Sequence, residues 1–120
     1  MPHFERDGKK LMQLGNPEIS LAVSDIKASL AFYESLGFNR VEGAEEEKWV
    51  VVTQPGLRIG LYEGHVAANS LTFIGGDVEA IARKLHESGF ELKSGPETEE
   101  DGSLGAKVVD PDGNLIYFNT

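Results

Sequence analysis

The sequence predicts an α+β fold: two tandem βαβββ modules forming curved mixed sheets with helices on the convex face. Three observations carry that prediction. The stretch SLAVSDIKASLAFYESLGF, residues 20–38, is echoed by SLTFIGGDVEAIARKLHESGF, residues 70–90. In each copy an aspartate stands twelve residues ahead of a Gly-Phe pair, Asp25 before Gly37 and Asp77 before Gly89. After each copy come short apolar runs broken by turn residues, the signature of strands rather than helices.

Each copy opens on a strand and passes into a helix. Asp25 and Asp77 are suited to the helix start, where a carboxylate accepts hydrogen bonds from free N–H groups. Gly37 and Gly89 suit the left-handed turn after a helix end. Between them Ile26, Leu30, Tyr33 and Leu36 recur at helical spacing, and so do Val78, Ile81, Ala82 and Leu85. Residues 39–43 read as a short strand. Residues 48–64 read as two strands turning at Gln54-Pro55-Gly56. In the second copy residues 90–95 read as a strand, and 102–120 as a hairpin turning at Asp112-Gly113. The acidic clusters Glu42 to Glu47 and Glu97 to Asp101 read as solvated loops. Residues 1–15 lack a period and read as an N-terminal tail or arm. Residues 16–120 form a single domain, with modules at about 16–64 and 69–120.

Composition narrows the class. Apolar residues make up 40% and charged residues 26%, an ordinary globular balance. The net charge of −9 argues against nucleic acid, whose phosphates demand a basic footprint, and would suit a cationic ligand. No apolar run approaches the length of a membrane span. The absence of cysteine excludes disulfides, thiolate catalysis and Cys-ligated zinc. A cytoplasmic protein is expected. His3 in the tail, His65 after Gly64 and His86 on the second helix form no spaced cluster. Asp110-Pro111-Asp112-Gly113-Asn114 is not a calcium loop, because it lacks the later bidentate Glu and the flanking helices.

Strand alternation sorts side chains onto two faces. Ile19, Leu21, Val23, Val50, Val52, Leu57, Ile59, Leu61, Leu71, Phe73, Ile116 and Phe118 are expected to lie under the helices. The opposite face carries Glu18, Ser20, Trp49, Val51, Arg58, Tyr62, Ser70, Thr72, Tyr117 and Asn119. Aromatic rings with hydroxyls, one acid and one base suit the lining of a ligand groove. A face buried against a twin remains the alternative.

The tandem βαβββ order, VSDIKASLAFYESLGF after the first strand and DPDGNLIYF near the end together resemble the vicinal oxygen chelate superfamily. That family includes glyoxalase I, extradiol dioxygenases, fosfomycin resistance enzymes and bleomycin resistance proteins. Its metal-using members keep four ligand positions, which the resemblance places at Glu18, Gly60, Ser70 and Tyr117. Only Glu18 is a competent divalent ligand, so no metal and no cofactor is expected. The chain therefore resembles the metal-free bleomycin resistance branch, whose members are small acidic homodimers binding a cationic drug. The ligand-binding residues this implies are Glu18, Trp49, Arg58, Tyr62, Ser70, Thr72 and Tyr117. Trp49 would stack on a small aromatic or cationic ligand, or else pack at an interface. Glu18 would serve as counter-ion, while Arg58 would pair with Glu18 or clamp a ligand carboxylate. The alternative is a lyase or dioxygenase-type enzyme of the same superfamily, using a metal or using Glu18 as general base.

Overall fold

The computed structural model describes residues 12–120, together with the backbone of residues 5–6 and 9–10. Of the arm expected over residues 1–15, positions 1–4, 7, 8 and 11, His3 among them, lie outside the described residues. Glu5–Arg6 (β1) pairs antiparallel with Lys9–Lys10 (β2). The first module comprises β3 (Gly15–Ala22), α1 (Ile26–Ser35), β4 (Asn39–Ala44), a 3₁₀ turn at Glu45–Glu47, β5 (Trp49–Gln54) and β6 (Leu57–Tyr62). The second comprises β7 (Ser70–Gly75), α2 (Val78–Glu87), β8 (Ser94–Thr98), β9 (Leu104–Val109) and β10 (Leu115–Asn119). Both aspartates cap as expected. The Asp25 carboxylate accepts from the N–H groups of Lys27 and Ala28, and that of Asp77 from Ala80.

The expectation of curved sheets, one per module, is corrected. The strands form a single open eight-stranded sheet in the order β4-β5-β6-β3-β7-β10-β9-β8. The reason lies in β3 and β7, each the first strand of its module. A strand with a free edge offers unpaired N–H and C=O groups, and these two satisfy each other. They pair antiparallel from Gly15 opposite Gly75 to Ser20 opposite Ser70. The sheet is mixed because β3 also runs parallel to β6, and β7 parallel to β10.

Three local expectations also shift. The strand read over 90–95 starts at Ser94 and runs to Thr98, because Phe90 N–H still donates to the α2 carbonyl of Leu85. Glu97, read as the start of a loop, therefore stands in β8, whereas the strand read over 39–43 is present as β4 and takes in Glu42. The final hairpin turns over Asp110–Asn114 and not on Asp112-Gly113 alone. The Asp110 carboxylate accepts from the backbone N–H of Asp112 and Asn114, which fixes the longer loop.

Two cores sit side by side on one face. Under α1, Ile26 and Leu30 pack on Val50, Val52, Ile59 and Leu61. Under α2, Val78 and Ile81 pack on Ala106, Val108 and Phe118. Each fully buried aliphatic side chain contributes roughly 1.5–3 kcal/mol. Ile19, Leu57 and Leu71 were expected in these cores but remain 36%, 39% and 48% exposed. The helices explain this. α1 lies over β5 and β6 and α2 over β8 and β9, so neither roofs the central β3–β7 pair that carries Ile19 and Leu71, while Leu57 sits at the very start of β6, beside the turn at Gln54-Pro55-Gly56.

Candidate functional site

The site lies on the face away from the helices. Register places its residues there: Glu18 opposite Thr72, Ser20 opposite Gly60 and Ser70, Tyr117 opposite Thr72, and Trp49 opposite Tyr62. Trp49 and Tyr117 thus share one side of the sheet. A cleft of about 590 Å³ opens over the middle strands. It gathers five of the seven residues expected to bind a ligand: Glu18, Tyr62, Ser70, Thr72 and Tyr117. The other two stand just outside. Trp49 lies behind Tyr62, its ring stacked on the phenol at 6.4 Å and 8°, with its indole N–H donating to Glu47. Arg58 lies on the far side of Glu18.

Glu18 is the hub. It is 3% exposed, and both of its oxygens accept from donors of the chain, three bonds in all. Arg58 Nε donates to Oε1 at 3.1 Å; Ser20 Oγ and the Tyr62 hydroxyl donate to Oε2 at 2.7 and 2.8 Å. A buried carboxylate persists only with such a set of partners. Arg58 also reaches Glu42 through Nη2 at 3.0 Å. Burial first, and then the charge of Glu18, raises the Tyr62 phenol well above its ordinary range. From Ser20 the hydrogen bonds continue across the module junction, to Thr72 at 2.8 Å and from Thr72 to Ser70 at 3.1 Å.

Two glycines allow the aromatic rings to lie down on the sheet. A Cβ at Gly60 would stand 2.5 Å from Tyr62 Cε2 and 2.6 Å from Glu18 Oε2. A Cβ at Gly105 would stand 2.6 Å from the Tyr117 hydroxyl and would also meet Glu99. Tyr117 donates to Glu99 at 3.0 Å and accepts from Asn119 at 3.1 Å. Burial, then the bond to Glu99, pushes its phenol up to about 12. Lys107 stands 5.8 Å above the Tyr117 ring and lines the cleft with Lys93.

The four positions that hold a metal in related enzymes do not fit one here. Gly60 has no donor, and the Tyr62 ring fills the space its side chain would take. Glu18 is buried and already bonded to Arg58, Ser20 and Tyr62, and Ser70 and Tyr117 offer neutral hydroxyls, poor partners for a divalent ion. Among the described residues, no group of three or more His, Asp or Glu stands ready for an ion. His65 Nε2–H donates to the backbone carbonyl of Glu47 at 2.8 Å, and His86 is exposed on α2.

Sequence reasoning placed Ser20 and Asn119 on this face without assigning them to the site. Lys107 could have been found by the same alternation, since it follows Gly105 by two. Lys93, Glu99 and the linker residues 65–68 carried no signal, because they reach the cleft from loops and strand ends.

The fold and the cleft together define a tandem βαβββ protein with its polar–aromatic site on the sheet face opposite the helices. The sequence pattern of the Glyoxalase/Bleomycin resistance protein/Dioxygenase superfamily matches residues 15–118, and the chain belongs to that superfamily. No curated protein matches the chain. Solved structures share the fold. A glyoxalase/bleomycin resistance protein/dioxygenase superfamily member from Vibrio splendidus 12B01 is 22% identical, with a TM-score of 0.64 over 87% of this chain and 97% of that one. Methylmalonyl-CoA epimerase from Mycobacterium tuberculosis is 19% identical, with a TM-score of 0.64 over 90% and 89%. The NAD-dependent benzaldehyde dehydrogenase structure from Legionella pneumophila is 18% identical, with a TM-score of 0.74 over 87% and 97%. At these identities the likeness speaks for the fold alone. No helix among the described residues is long and apolar enough to cross a membrane.

Proposed function

We propose that the chain is a metal-free binding protein for a small aromatic compound, acting as a cytoplasmic homodimer and possessing sequestering rather than catalytic capacity. One observation carries this reading: the cleft has aromatic walls in Tyr62 and Tyr117, while its single buried carboxylate is already paired with Arg58 and accepts three bonds from the chain. A few fixed polar groups between apolar walls orient a ligand without reacting with it. Glu18, Tyr62, Ser70, Thr72 and Tyr117 would contact the ligand; Trp49 would back the Tyr62 ring and Arg58 would hold Glu18.

The charge of Glu18 is met by Arg58, so a cationic ligand would compete with that guanidinium. The enzyme alternative asks more of the same residue. A general base at Glu18 would take its proton against the ion pair with Arg58 and the bonds from Ser20 and Tyr62, which favour the charged form. The test uses Trp49, the sole tryptophan. Titration with a panel of planar aromatic compounds, neutral and cationic, is expected to change its emission through the Tyr62 stack. Isothermal titration should give the same affinities. Light scattering is expected to return roughly twice the chain mass of 13.1 kDa. An unresponsive Trp49 and heatless titrations across the panel would defeat the reading.

A further inference from the structure

We infer that the floor of the cleft accepts, and does not donate, a hydrogen bond at Ser70 Oγ, and so selects ligands that place a hydroxyl, amine or amide N–H there. The inference deepens the binding reading above and rests on it for the ligand, but not for the hydrogen-bond direction.

The direction follows from proton counting. Glu18, ionised against Arg58, can only accept. Ser20 Oγ donates to it at 2.7 Å, which commits the one proton that hydroxyl has. The 2.8 Å contact between Ser20 and Thr72 must then have Thr72 as donor. Thr72 has committed its own proton in turn, so Ser70 donates across the 3.1 Å contact between them. At 4% and 5% exposure, Ser20 and Thr72 leave solvent little access to turn them around. Ser70 is half-buried and lines the cleft with its lone pairs alone. The Tyr62 hydroxyl is committed to Glu18 in the same way. One carboxylate thus sets the polarity of four hydroxyls across two modules.

A ligand bearing a donor completes the chain. An analogue methylated at that atom leaves Ser70 unpaired in a partly desolvated site, a loss of roughly tenfold in affinity. Two experiments test this. Neutron diffraction from crystals of the ligand-free protein in D₂O is expected to show the Ser70 deuteron on the line to Thr72, and that of Thr72 on the line to Ser20. A Ser70 deuteron aimed into the cleft overturns the inference whatever binds there. The second experiment uses matched probes, phenol against anisole and aniline against N,N-dimethylaniline, read by amide shifts at Ser70 and Thr72. The donor of each pair is expected to bind about tenfold more tightly. Ser70→Ala should remove that preference. Glu18→Gln should weaken it, since a carboxamide can donate and lets the chain reverse. Equal binding within both pairs by the unaltered protein overturns the inference. If none of the four probes shifts any cleft residue, the binding reading of the preceding subsection and the ligand clause here both fall. The deuteron positions would still decide the direction.

Discussion

Glu18 shows how much one side chain can organise. Removing it leaves Arg58 without its inner partner and frees Ser20 and Tyr62. Breaking a buried ion pair costs about 3–5 kcal/mol, and less where the surviving charge is partly exposed. Arg58 is 30% exposed and keeps Glu42. Glu18→Ala is therefore expected to destabilise by about 2–3 kcal/mol in urea unfolding. A loss below about 1 kcal/mol would mean the hub is not structural. Tyr117 makes a pH-dependent case. Its phenol holds its proton up to about 12 in the folded chain, against about 10 when unfolded. Between those values the unfolded state binds fewer protons, so stability falls as pH rises from about 10 and levels off above about 12. Tyr117→Phe removes this contribution. The unaltered protein should lose stability more steeply than the variant between pH 9.5 and 11.5; parallel profiles would contradict the assignment. Strand alternation alone put Glu18, Ser70, Thr72 and Tyr117 on one face, so these were legible in the sequence. What Gly60 does was not legible. Alternation says which face a residue occupies, but not that a neighbouring ring will fold down over it.

The helices were the most legible elements. Asp25 and Asp77 declared both starts, and the apolar spacing declared both buried faces. Each cap satisfies N–H groups that would otherwise face solvent alone, a contribution of typically about 1 kcal/mol. Asp25→Ala and Asp77→Ala should each lower stability by about that amount, with Asp25 the larger because it serves two N–H groups. The two losses should add in the double variant, since the caps lie in separate modules. Thermal melts followed by circular dichroism would check both statements. Strand ends were less legible. β8 begins late because α2 keeps Phe90 for its last turn, a decision made by backbone hydrogen bonds and not by side-chain pattern. The exposure of Ile19, Leu57 and Leu71 was beyond the sequence too. A period of two says which residues face the helix layer, but not how far that layer extends.

At the scale of the molecule, the β3–β7 ladder makes one sheet from two halves. Melting one half exposes the edge of the other, which couples their unfolding. Trp49 reports only from the first module. Its fluorescence transition in urea should coincide with the loss of far-ultraviolet circular dichroism, which reports from both. An earlier Trp49 transition would show that the halves unfold separately. Here again the repeat predicted the parts correctly and the join incorrectly. Two similar sequences announce two similar modules; whether their sheets stay apart or merge is decided by free edges in space.

That ladder has a topological consequence. It is the only hydrogen-bonded strand pairing between the halves among the described residues, and residues 63–69 alone tether them covalently. Nothing in its register distinguishes a partner strand on the same polypeptide from an identical strand on a neighbour. An exchanged arrangement would seat Glu18 of one molecule against Thr72 of another. Shortening the tether would then turn pocket assembly from an internal event into one governed by protein concentration.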